Sequence, residues 1–320
     1  MTKDDDPFSR WEAGQQLAVK LLLAMTAAVQ GNAAVELDHR FVEAFRSNLL
    51  CGSDDLAFQR EMLCLPSESY LAEFLPVIDP MALHVARQTL RHTLAQELEQ
   101  DFLTIYRGCH DTAAYKAEPQ QIGRRALKNL ALSYLLELNH TEHRRLAIQQ
   151  IASSRNMTDV IAALSGLANT VCEERDAAMQ SFYARWQGDP LVVDKWLAIQ
   201  AMSPLDDTLD RVRMLTRYPS FNTRNPNKVR ALVGSFAHAN PVRFHDPGGA
   251  GYEFVADQVI AIDPLNPLLA ARLAAAFNQW RRYDGSRQAR MRAQLQRIAG
   301  TERLSRDVRE IVTKALSSDP

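Results

Sequence analysis

Two histidines with helical spacing form the clearest metal-binding pattern in this chain. His140 and His143 stand three residues apart in the segment NHTEH, with Glu142 between them. A helix would place both rings on one face, which could form half of a zinc site. A third ligand at a supporting spacing is missing, and the alternative is that these are solvated residues at a helix end. We therefore assign no metal ligands to this chain.

Local signatures of catalysis are absent from the sequence. It contains no H-E-x-x-H, G-x-S-x-G, P-loop or dinucleotide-binding pattern. Cys109 and His110 are adjacent, but neighbouring side chains generally point apart, so a Cys-His nucleophile pair would need a distant partner. The glycine-rich PGGAGY at 247–252 is not part of a βα unit and is interpreted as a turn that opens a helix. We assign no catalytic residue.

Two arginines beside apolar helical patterns are candidate binding residues. Arg272 is the only charged residue in PLNPLLAARLAAAFNQW, from Pro264 to Trp280. An unpaired buried guanidinium is costly, so Arg272 must reach the surface, a carboxylate or a wet cavity. Arg230 is similar, although Lys228 also stands near the start of its helix.

The chain carries no charge surplus that would attract nucleic acid or an anionic membrane. Its 37 Lys and Arg residues balance 38 Asp and Glu residues, for a net charge of -1. The segment 281–297 has six arginines and one aspartate, which could bind phosphate. We favour a helix face whose charges meet acidic neighbours, and we predict no nucleic-acid partner.

Helical spacing dominates the sequence. Segments of roughly 12 to 25 residues have apolar positions three and four residues apart, and alternating β patterns are nearly absent. The 320 residues, 46% of them hydrophobic, can bury a large core. We predict an all-α protein.

The C-terminal half contains a weak internal repeat. Three predicted helices begin with an Asp or Asn cap followed by proline, at starts 36 and 41 residues apart: Asp189-Pro190, Asn225-Pro226 and Asn266-Pro267. In each helix the third, sixth and seventh positions after the proline are apolar, and a second helical segment separates successive starts. The pattern predicts an α-solenoid of antiparallel helix pairs, like HEAT or ARM repeats.

The N-terminus and the cysteines favour a cytoplasmic protein. MTKDDDPFSRW is acidic where an export signal is basic, and the apolar LLLAMTAAV is too short to span a bilayer. Four scattered cysteines in a chain of this size suggest reduced thiols. The abrupt start could also lie inside a longer protein.

An ordered set of motifs resembles the C-terminal helical domain of bacterial aminopeptidase N, the alanyl aminopeptidase type of zinc gluzincin peptidases. The set runs through nearly the whole chain in the family's order and spacing. It comprises DPFSRWEAGQQL, NMTD (156–159), LVVDKWLAIQAMSP, SFNTRNPNKVRALVGSFAHANPVRFH, GYEFVADQVI, RRYDGSRQARMRAQL and LSRDVREIVTKAL.

This resemblance implies that residues 1–320 are a single domain, with a weak subdivision near 187–190. Family members carry the zinc ligands and the glutamate base in a preceding catalytic domain, so this chain would have no cofactor and would be inactive alone. It would contact that catalytic domain of the same polypeptide, line the cavity that receives peptides, and act as a monomer. Arg230 and Arg272 match arginines that face the cavity in related enzymes; Leu268 can be polar in close relatives.

A different class of function is open to the same fold. A free-standing α-solenoid could bind a protein or peptide on its concave face, and nothing in these residues excludes that scaffold.

Overall fold

The fold is helical throughout the part of the chain described by the computed structural model, namely residues 6–34, 38–111 and 114–317. The first five residues, which belong to the acidic N-terminus discussed above, lie outside these ranges. Within them there is no strand, only an isolated parallel bridge between Ile78 and Tyr283. The prediction of an all-α protein is confirmed.

The chain divides into two compact units. Unit 1 comprises Met1–Leu71 and Ala82–Ala178, and unit 2 comprises Ala72–Met81 and Met179–Pro320. The single-domain assignment stays a prediction. The α-helices in chain order are α1 (Pro7–Gln30), α2 (His39–Leu49), α3 (Leu56–Met62), α4 (Glu68–Ala72), α5 (Pro80–Glu97), α6 (Glu99–Gly108), α7 (Pro119–Glu137), α8 (Thr141–Ser153), α9 (Met157–Ala168), α10 (Glu174–Trp186), α11 (Pro190–Ala201), α12 (Thr208–Leu215), α13 (Pro226–Val229), α14 (Ser235–Ala239), α15 (Pro241–Phe244), α16 (Ala250–Ile262), α17 (Pro267–Ala274), α18 (Gly285–Ala299) and α19 (Arg306–Ser317).

Three short segments depart from α-helical geometry. Arg230–Gly234 forms a π-helical turn between α13 and α14, and Ala275–Phe277 and Trp280–Arg282 are 3-10 turns after α17. Among the described helices, none is both long and apolar enough to cross a membrane.

An aromatic cluster forms the centre of unit 1. Phe102 on α6 stacks on Tyr134 on α7 with ring centroids 4.6 Å apart, and Phe45 on α2 meets Tyr134 edge-on at 5.7 Å. Arg91 on α5 lies over the same tyrosine ring at 4.6 Å and pairs with Glu137 at 2.6 Å. Large buried rings contribute much of the apolar burial that stabilises a core, and here three rings and Arg91 join four helices.

A buried ion pair connects α7 to α9. The Nζ of Lys128 lies 2.6 Å from Oδ2 of Asp159, and both side chains are almost completely buried. Asn129 and Asn156 also donate to the Asp159 carboxylate. The Asn156 side chain in turn accepts from the backbone N–H of Asp159 and so caps α9. The charge is therefore fully hydrogen-bonded inside unit 1.

The predicted repeat is present in unit 2. Asp189, Asn225 and Asn266 each accept a backbone N–H in the first turn of α11, α13 and α17, and a proline occupies the first helical position every time. The proline lacks only a hydrogen that would have no partner within the helix. The predicted second segments are α12 and α16; α14 and α15 also lie between α13 and α16.

The apolar positions shared by the three repeat helices are all buried. They are Val193, Trp196 and Leu197; Val229, Leu232 and Val233; and Ala270, Leu273 and Ala274. Successive first helices also contact each other through Lys228, whose Nζ lies 2.6 Å from Oδ1 of Asp194. The helix pairs are thus joined by a common buried face and by an ion pair.

Candidate functional site

Arg272 lies on the exposed side of α17. Leu269 and Leu273 on the opposite side are buried, while Leu268, one turn before Arg272, is 58% exposed. Within the described part of the chain, Arg272 makes no hydrogen bond and no ion pair. Its guanidinium is therefore hydrated and free to meet a ligand, next to an exposed leucine on the same helix face.

Arg230 begins the π-helical turn of unit 2. Its guanidinium is exposed, and Nη1 donates to Oδ1 of Asn227 at 3.0 Å. Single π-helical turns inside helices occur frequently at functional sites because the extra residue changes the direction of the side chains. The sequence did not reveal this turn, since its apolar residues follow the ordinary helical spacing.

Lys195 occupies a position in the repeat that corresponds to those of Arg230 and Arg272. Lys195 and Arg272 are both the fifth residue after the first proline of their helices, and Arg230 is the fourth. Lys195 is also exposed. The repeat register in the sequence is the signal that points to it.

The histidine pair has a third possible ligand that the sequence did not indicate. Glu99, the first residue of α6, places Oε1 3.1 Å from Nε2 of His143 and 3.3 Å from Nδ1 of His140. His140 is half exposed, but His143 is buried, and burial lowers the pKa of its ring. The interpretation as solvated helix-end residues therefore holds for His140 and is wrong for His143. Glu142 is exposed and outside the cluster.

Cys109 and His110 do not form a nucleophile pair. The thiol is buried and His110 is exposed. Burial raises the pKa of Cys109, whereas an activated cysteine needs a lowered one.

Most of the arginines at 281–297 hold parts of unit 2 together, and one has no hydrogen-bond partner among the described residues. Arg292 is exposed and forms no hydrogen bond among the described residues. The other five bind carboxylates and backbone carbonyls: Arg281 binds Ala315 and Leu316; Arg282 binds Glu73, Ala72 and Leu75; Arg287 binds Asp284 and His245; Arg290 binds Gly248; and Arg297 binds Asp257 and Glu253. Arg282, Arg287 and Arg297 meet acidic neighbours, as expected, whereas Arg281 and Arg290 bind only backbone carbonyls.

The glycine-rich segment is a turn that opens α16. Gly249 has φ 80°, in the left-handed region where glycine is favoured, and it precedes the first helical residue. A Cβ at Gly251 would lie 2.6 Å from the carbonyl oxygen of Phe244, so the first turn of α16 packs directly on the backbone of α15.

Comparison with known proteins identifies the family. A family model described as ARM repeats, a domain of unknown function designated DUF3458_C, matches residues 1–317. The chain belongs to the DUF3458_C family. The ARM-repeat description agrees with the helix pairs found in unit 2.

This DUF3458_C domain is similar to part of three bacterial proteins named aminopeptidase N. It is 40% identical over 313 residues to the protein of Caulobacter vibrioides, 38% over 310 residues to that of Escherichia coli and 36% over 312 residues to that of Haemophilus influenzae. The matches cover 97% or 98% of this chain but 36% of each relative, so the chain spans about a third of their length.

A solved structure has the same fold as this DUF3458_C domain. The crystal structure of Legionella pneumophila aminopeptidase A in complex with aspartic acid matches with a TM-score of 0.88 and 34% identity, over 98% of this chain and 37% of that one. The resemblance to the helical domain of aminopeptidase N, based above on sequence motifs, is confirmed.

Proposed function

We propose that this chain is the C-terminal domain of a zinc-dependent aminopeptidase N that releases N-terminal residues from peptides. The observation that carries the proposal is the match of 97% or more of the chain to about a third of each aminopeptidase N. The domain would cover the catalytic domain of the same polypeptide and line its peptide cavity. The whole enzyme would be a cytoplasmic monomer. The chain has no H-E-x-x-H, so its own residues do not fit the catalytic zinc, and no reaction step is assigned to them.

The role proposed for this domain is electrostatic. Arg230 and Arg272 would donate charge-assisted hydrogen bonds to peptide carbonyl oxygens or to a terminal carboxylate in the cavity. Their exposure supports this role, because neither guanidinium is engaged by a carboxylate among the described residues. Leu268 would contact the same peptide through apolar surface.

One experiment tests whether the domain needs the rest of the enzyme. The purified chain, with added zinc, should not hydrolyse alanine p-nitroanilide. Robust turnover that a chelator abolishes would refute the assignment. Continuous coding sequence upstream of Met1 that contains H-E-x-x-H would support it.

A second experiment tests the cavity role of Arg272 in the full-length enzyme. Arg272→Ala should lower kcat/KM for peptides about tenfold or more, since hydrogen bonds from a charged group contribute about 1.5–3 kcal/mol. Its Tm should not change, because the side chain has no partner within the described residues. Arg292→Ala, at another exposed arginine without a described partner, is the matched control and should leave both quantities unchanged. Unchanged kinetics with a reduced Tm would make Arg272 structural.

The alternative, a free-standing scaffold that binds a protein or peptide on a concave face, predicts a different result. A native start at Met1 with no catalytic sequence upstream would favour it. The fold alone fits both functions, since solenoids present such faces generally.

A further inference from the structure

Three metal-ligating side chains converge at the start of two helices in unit 1. Glu99 is the first residue of α6, His140 is the capping residue of α8, and His143 lies in the first turn of α8. One donor atom from each lies within 4.8 Å of the other two. Among the described residues, no other set of three such side chains meets this condition.

When the ring of His143 is neutral, its orientation directs the lone pair of Nε2 at the carboxylate of Glu99. Its Nδ1 lies 2.9 Å from the carbonyl oxygen of Leu135, an acceptor, so Nδ1 carries the hydrogen and donates it. In the neutral ring Nε2 is then an acceptor, and it faces Oε1 of Glu99 at 3.1 Å. A hydrogen bond from the second ring nitrogen to a backbone carbonyl is the way proteins commonly orient a metal-ligating histidine.

Two of the three donor–donor distances are close to those of a tetrahedral site. Two ligands bound to zinc at about 2.0–2.1 Å with a tetrahedral angle are roughly 3.3 Å apart. Oε1 of Glu99 lies 3.1 Å from Nε2 of His143 and 3.3 Å from Nδ1 of His140. His140 is the exposed member of the set, and its donor nitrogen lies within 4.8 Å of that of His143.

We propose that Glu99, His140 and His143 bind one divalent transition-metal ion of the Zn²⁺ class through Oε1, Nδ1 and Nε2. Two imidazole nitrogens and one carboxylate oxygen suit zinc better than magnesium or calcium, which prefer oxygen ligands. The half-exposed ring of His140 leaves the fourth position to water. The inference does not depend on the proposed function.

The ion would connect α6 to α8 and should bind with modest affinity. Both helices direct their N-termini towards the cluster, and the partial positive charge there opposes a cation. The negative charge of Glu99 offsets this in part.

The same geometry has a competing explanation without metal. A protonated His143 would donate from Nε2 to Glu99 and from Nδ1 to Leu135, which would make a simple ion pair. That explanation gives His140 no necessary role. Metal binding requires His140, so this residue separates the two accounts.

The test is titration of the tag-free 320-residue chain with Zn²⁺ by calorimetry and with Co²⁺ by visible absorption. We expect one ion per chain, the intense visible bands of four-coordinate Co²⁺, and a Tm that rises with zinc concentration. Glu99→Gln and His140→Ala, both at side chains that reach solvent, should each weaken binding by more than about tenfold. His143→Gln should do the same, but its buried position makes the other two variants the decisive ones.

His84→Gln is the matched control. Its Nδ1 lies 2.8 Å from Oε1 of Glu68, which makes a second histidine–glutamate pair in unit 1 that belongs to no such three-residue set in the described chain. This variant should bind zinc like the parent. Lack of saturable binding, or binding that Glu99→Gln and His140→Ala leave intact, would overturn the proposal.

Discussion

His245 should make the stability of this protein depend on pH between about 6.5 and 3. The ring is buried in unit 2, where Nδ1 lies 2.9 Å from the hydroxyl of Tyr252 and the ring stacks on Tyr283 with centroids 4.2 Å apart. Burial, and then the nearby charge of Arg287, lower the pKa of His245 to about 3. The folded protein therefore keeps this ring neutral under conditions in which the unfolded chain protonates it.

The sign and size of the effect follow from proton linkage. An unfolded histidine titrates near pH 6.5, so above that pH His245 does not lower the free energy of unfolding. As the pH falls below 6.5, the unfolded state binds a proton that the folded state does not bind, and the free energy of unfolding falls by about 1.4 kcal/mol per pH unit. The loss should reach about 2 kcal/mol at pH 5 and about 4 kcal/mol at pH 3, and it should level off near 5 kcal/mol below that pH.

Urea unfolding followed by circular dichroism at pH values from about 7 to about 5 measures this loss. Few carboxylates titrate in that window, so the slope reports mainly on histidines. His245→Gln should be less stable at pH 7 but should lose about 2 kcal/mol less than the parent as the pH falls to 5. His39→Gln, at an exposed position, is the control and should keep the parental slope. Equal losses in His245→Gln and the parent would refute the reasoning, because the folded protein would then accept the proton.

Two further predictions concern packing and buried charge. Gly251→Ala should lower the free energy of unfolding by about 1–3 kcal/mol, because the new Cβ would lie 2.6 Å from a backbone oxygen. Gly188→Ala, whose new Cβ meets open space, should leave the Tm nearly unchanged. Equal Tm values for the two variants would contradict this prediction. Lys128→Met should lower the free energy of unfolding, measured in urea, by about 3–5 kcal/mol, since it leaves the carboxylate of Asp159 buried without its cation. Adding Asp159→Asn should recover part of that loss, and a fully stable Lys128→Met would show that the pair is hydrated.

The sequence predicted well those features that depend on nearby residues. An Asn or Asp cap followed by proline satisfies the first turn of a helix through atoms two or three residues away, so the starts of α11, α13 and α17 could be located. Helical spacing places the buried face of each repeat helix in the same local way. The family resemblance could likewise be read from ordered motifs.

Features that depend on residues far apart in the chain could not be predicted from the sequence. Glu99 lies about forty residues before the two histidines that it meets, and no local pattern connects them. The burial of His143 has the same origin, since it depends on how α7 and α8 pack. Residues 72–81 belong to unit 2 because Arg282 binds Glu73 and Ile78 pairs with Tyr283, more than two hundred residues away.

Arg230 and Arg272 show what the sequence and the tertiary structure each determine. The sequence by itself determined that both stand beside apolar helix faces, because helix periodicity depends on residues close together in the chain. That they match cavity-facing arginines is a prediction from the family resemblance. Only the tertiary structure decided that both guanidiniums are exposed, since this depends on whether a carboxylate from another helix reaches them. In the run at 281–297, neighbouring elements do reach five of the six arginines, and those five became structural.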